Sequence, residues 1–140
     1  MWILYALISA LFAGLVAVFA KLGLKNVDST LATTVRAFIM AGFLGVTALA
    51  LKKFQGFSLS TFTGREWAYI ALSGVAGALS WLFYFVALKN GTAVTVSAID
   101  RLSIVFVLIF AALFLGEGFT LWKVMGVLCI ALGAFLTTLK

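Results

Sequence analysis

The sequence contains no proline, no histidine and one cysteine, Cys129, and only 10% of its 140 residues are charged. Each shortage removes a class of protein. A lone cysteine in the apolar run Val127-Leu128-Cys129-Ile130 excludes a disulfide framework and serves as a small packing residue. The usual zinc ligands cannot be assembled without histidine or a cysteine cluster, so no metal or other cofactor is expected. Nor is there an obvious base to activate a nucleophile, which argues against an enzyme.

What fills the chain instead is apolar: 65% hydrophobic residues and a mean hydropathy of +1.25. Ten basic and four acidic residues cannot clothe a soluble domain of this size, so the solvent expected is lipid. The net charge of +6 forms no patch. Its lysines and arginines sit mainly at the ends of apolar segments, where they reach headgroups, and no nucleic-acid partner is expected.

A membrane-crossing helix needs about 20 mostly apolar residues. On that basis the spans run roughly over 2–22, 31–51, 67–88, 92–115 and 119–139, an all-α membrane protein in one domain covering 1–140. Continuous apolar runs exclude a barrel, whose strands alternate. The first span lacks a basic leader and exceeds a signal-peptide core in length, so it is read as a retained helix. Most connections are short and force neighbouring spans antiparallel. Only Lys52 to Glu66 has size, and Phe54, Phe57 and Phe62 there fit a segment lying at the interface.

An odd number of spans puts the termini on opposite sides. The side of Met1 then carries Lys52, Lys53, Arg65 and Lys123, and the other side Lys21, Lys25, Lys89 and Lys140. The positive-inside rule orients a protein by the difference, and here the difference vanishes. Either another feature fixes one orientation, or copies insert both ways and pair head to tail.

Asp100-Arg101 is the sharpest functional signal. A charge at a helix centre costs about 2.5 to 3.5 kcal/mol on insertion scales, so it normally faces a cavity or a partner. Asp100 shares a small, polar face with Ser97 and Ser103. It is a candidate to exchange protons or hold a cationic substrate; the structural alternative is a pair with Arg101 or Arg36. Arg36, inside the second span, either snorkels to headgroups or reaches inward to an anion or to Asp100. Trp81 lies well inside the third span, away from the aromatic belts at Trp2, Trp67 and Trp122. Gly74, Gly77, Trp81, Tyr84 and Leu88 share one face, which forms either a cleft with an aromatic wall or ordinary packing. Ala10 and Gly14, Ser73 and Gly77, and Gly126 and Gly133 have helix-packing spacing. Glu117, between glycines, is expected to cap or anchor the fifth span.

Ala10-Leu11-Phe12-Ala13-Gly14-Leu15 with Lys21, and Thr34-Val35-Arg36, resemble the opening of the EamA domain of the drug/metabolite transporter superfamily. The stretch Trp81-Leu82-Phe83-Tyr84-Phe85-Val86-Ala87-Leu88-Lys89 is similar to its third span. Phe114-Leu115-Gly116-Glu117 and the glycine-rich run from Gly126 to Gly133 resemble its end. Most members are similar to two such units joined as inverted repeats in ten helices, and this chain is one unit. A proline often present early in the fourth span is missing here, and Asp100-Arg101 is not shared by most two-unit members. The resemblance implies an antiparallel homodimer that forms one transporter in the inner membrane, moving small organic solutes (amino acids, metabolites or drugs) by alternating access. Proton coupling through Asp100 would fit, with substrate contacts from Arg36, Trp81, Tyr84, Ser97 and Arg101. The competing expectation is a non-transporting membrane subunit, held in one orientation by a different protein.

Overall fold

A computed structural model describes residues 1–58 and 61–139. Lys140, one of the charges counted above, lies outside the described residues, as do residues 59 and 60 of the long connection. The described chain is helical, with α1 over Trp2–Gly23, α2 over Ser29–Ala50 and α3 over Gly64–Asn90. These are followed by α4 over Ala93–Asp100, α5 over Ser103–Leu115 and α6 over Leu121–Leu136. The first three are each long and apolar enough to cross a membrane, and so is the path Ala93–Leu115 formed by α4 and α5 together. Large apolar side chains point outward all along them. Leu11, Phe38, Leu72, Phe114 and Leu128 are each more than half exposed, as lipid-facing residues should be.

Local chemistry sets the helix starts. The Asp28 carboxylate accepts the N–H groups of Thr30 and Leu31 at 2.9 and 3.0 Å, so α2 begins at Ser29, two residues earlier than hydropathy alone indicates. Thr63 and Glu66 form a capping box: the Thr63 N–H donates to Glu66 Oε2 at 2.7 Å and the Glu66 N–H to Thr63 Oγ1 at 3.4 Å. That box starts α3 at Gly64. At the end of α5, Gly116 takes φ +68, a left-handed conformation that glycine adopts without strain.

Two expectations change. The fourth span is broken at Arg101-Leu102, where the Leu102, Ile104 and Val105 N–H groups bond three residues back, to the Ile99, Arg101 and Leu102 carbonyls. Both residues at the break keep right-handed helical angles, so the span tightens there without reversing. In the fifth span, α6 is 16 residues, about 24 Å, shorter than the ~30 Å hydrocarbon layer. Its path continues to Leu139 through three-residue turn bonds from Thr137, Thr138 and Leu139.

The chain divides into two compact units. In the first, Met1–Leu22 with Asn90–Lys140, α6 packs against α4 and α5. Lys21 Nζ donates to the Gly91 carbonyl at 2.8 Å and Thr95 Oγ1 to that of Thr137 at 3.2 Å. In the second, Gly23–Lys89, Lys89 Nζ donates to the Val27 carbonyl at 3.2 Å, tying the end of α3 to the start of α2. Phe54, Phe57, Phe62 and Trp67 form a chain of ring contacts 5.4 to 6.1 Å apart, which joins the long connection to the first turn of α3.

Candidate functional site

In the second unit, α2 and α3 line an open cavity of about 680 Å³. The α2 wall is built at helical spacing by Thr33, Arg36, Met40 and Leu44. Gly74, Gly77 and Ala78 of α3 leave the volume open, and Trp81 closes one end. A Cβ added at either glycine would meet nothing within 4 Å.

The Arg36 guanidinium carbon lies 3.7 Å from the Trp81 ring centroid and 5.7 Å from that of Phe85. Trp81 is itself held edge-on by Tyr84 at 5.4 Å and Phe85 at 6.0 Å. Phe85, in contact with both rings, is buried. Arg36 is seven residues into α2, about 10 Å from its start, and Trp81 nine residues from the end of α3, about 13 Å. The Lys89–Val27 bond holds those two ends together. The Arg36 side chain thus reaches across to α3, and its guanidinium lies against Trp81.

A guanidinium carbon this close to a ring centroid lies stacked on the ring, so its N–H groups point sideways and the contact uses none of them as donors. The Thr33 and Thr34 hydroxyls are committed to the Ser29 and Thr30 carbonyls, at 2.7 and 2.9 Å. The cavity lining contains no acidic side chain. The site is a mainly apolar pocket with one cation, Arg36, and the side chains of Thr33, Thr34 and Ser73 on its wall.

The remaining candidates belong to the first unit. Asp100 ends α4 and Arg101 caps it; both are exposed, and within this unit they form no ion pair with each other or with another described residue. The Arg101 N–H bonds back to the Ser97 carbonyl at 3.3 Å and that of Ala98 at 3.1 Å. The charged dipeptide therefore sits on the tightened turn itself. A smaller cavity of about 350 Å³ lies between α5 and α6, with Ile104, Val107 and Gly126 along it and Glu117 and Lys123 at its rim. Glu117 pairs with Lys123 at 3.2 Å while Thr120 holds the cap position of α6, so Glu117 anchors the helix without capping it.

Phe85, Thr33, Met40 and Leu44 were missed among the site residues. Stepping by three and four from Arg36 finds the α2 residues, and the same step from Trp81 finds Phe85.

The model of the family described as EamA-like transporter matches residues 1–139. A protein of Sinorhizobium described as "Uncharacterized transporter in cobO 3'region" is 45% identical over 135 residues, covering 96% of this chain and 94% of that protein. No solved structure matches the chain.

Proposed function

Because the chain belongs to the EamA-like transporter family, we propose that it carries small organic solutes across the inner membrane as an antiparallel homodimer with alternating access. The observation that carries this reading is the α2–α3 cavity, with Arg36 stacked on Trp81 and a lining that is mainly apolar apart from Thr33, Thr34 and Ser73. Its volume falls in the ~300–1,000 Å³ range of small-molecule sites. Arg36 and Trp81 border the solute, and Tyr84, outside the lining, holds Trp81 edge-on.

Dimerisation supplies the second half of the machine. A single five-span unit facing an inverted copy has the arrangement of inverted-repeat transporters, whose solute path lies between the halves. The even division of Lys and Arg between the two sides is what insertion in both directions requires.

Coupling enters at the break in the fourth span. Irregular backbone at membrane depth is tolerated where it lines a protein interior or a water-filled cavity. Asp100 sits on such backbone beside Arg101, with Ser97 one turn earlier. We assign Asp100 the proton and Arg101 its counter-charge. The test uses purified protein in vesicles, measuring exchange of labelled amino acids, carboxylates, amines and drugs with and without a pH gradient. The Asp100→Asn variant is expected to exchange solute but not to accumulate it against a gradient. Unchanged gradient-driven accumulation removes Asp100 from the mechanism, and no exchange of any solute by the wild type removes transport.

A further inference from the structure

Resting on the reading of the α2–α3 cavity as the solute site, we infer that the solute is an organic monocarboxylate with an apolar body and no balancing ammonium group. The argument begins with an incomplete cation. A charged side chain inside the hydrocarbon layer costs more on insertion scales than a cation–π contact returns. Stacking on Trp81 therefore leaves Arg36 under-compensated. It also leaves the N–H groups beside the ring free to donate, and no described residue accepts from them within this unit.

A guanidinium fork matches a carboxylate in geometry, giving two parallel hydrogen bonds, and the two charges cancel. A phosphate dianion would bring a second negative charge with no second cation on the cavity wall, which a low-dielectric site penalises. An amino acid would bring an ammonium group, and the cavity lining offers it no carboxylate. An amine would place its charge beside Arg36 and be repelled. Beyond the guanidinium, Met40, Leu44 and Leu82 present apolar surface, and Gly74 and Gly77 leave room for a chain or ring to lie against α3.

The experiment titrates three probes of one shape into lipid-stripped protein in detergent at neutral pH: 3-phenylpropanoate, phenylalanine and phenylethylamine, read by calorimetry. The expected result is saturable binding of 3-phenylpropanoate at least tenfold tighter than either of the others. Arg36→Gln should weaken it at least tenfold, and Arg36→Lys by less, with melting temperatures checked so that loss of binding is separated from loss of fold. Tighter binding of phenylethylamine or phenylalanine overturns the assignment, and so does unchanged affinity in Arg36→Gln. So does an absence of binding by all three. Binding abolished by stoichiometric phosphatidylglycerol makes the site a lipid headgroup seat and overturns it as well. The underlying transport reading fails separately: carboxylate binding with no solute exchange in vesicles sinks transport but leaves the anion site. Exchange of amines or neutral solutes that ignores Arg36→Gln does the reverse.

Discussion

Arg36 and Trp81 come from different helices, and neither explains the other's position alone. A tryptophan nine residues from the end of its helix is too deep for the aromatic belt, and an arginine seven residues into its own is too deep to be indifferent. Their contact at 3.7 Å accounts for both. Replacing the ring separates its electrostatic part from its bulk. Trp81→Phe keeps an aromatic face and should retain most solute exchange in vesicles, whereas Trp81→Leu should lower it by about tenfold, the factor equivalent to ~1.4 kcal/mol within the cation–π range. Asp28 makes a different prediction, about stability. The Leu31 N–H, joined by that of Thr30 and the charge of Lys89, holds its carboxyl below the ordinary aspartate range against a smaller opposing desolvation. A folded value below the unfolded one gives stability that is complete above about pH 4 and lost as pH falls through the folded value. Asp28→Ala should therefore melt lower than wild type in detergent at neutral pH. The gap should narrow on acidification below about pH 4, and Asp28→Asn, which keeps an oxygen acceptor, should lie between them.

The fourth span shows what a helix does at a charged pair when proline is absent. Its break at Arg101-Leu102 comes from a change of hydrogen-bond partner, from four residues back to three. Such bonds have poorer geometry, and a short stretch inside a longer helix often marks a hinge. Amide hydrogen exchange in detergent should consequently be faster at Leu102, Ile104 and Val105 than at Ile109 to Ala112 in the middle of α5. Equal protection across the span would mean that the turn is as rigid as the helices beside it.

The whole protein is a multi-pass membrane transporter of the EamA-like family. Insertion in both directions predicts a specific labelling pattern. In a Cys129→Ser background, a cysteine added at either terminus should react with a membrane-impermeant maleimide from both sides of the membrane. Labelling of each terminus from one side only would mean a fixed orientation and would end the antiparallel homodimer.

The number of apolar segments, their order and their lipid setting follow from sequence alone, because about 20 apolar residues are what a membrane helix requires and little else produces them. The capping box at Thr63 and Glu66 was written in the sequence too, although hydropathy placed the start of α3 later. The depth of Trp81 marked it as a candidate. Tertiary structure decided what the sequence left open. Arg36 lies against a ring on another helix that is within reach of its side chain, and Gly74 and Gly77 line the same space. The turn at Arg101-Leu102 could not be read from hydropathy, since its residues are helical in angle and differ only in which carbonyl each N–H finds. Hydropathy is a property of each residue with its solvent, whereas a site is made by residues on separate helices whose positions only packing brings together.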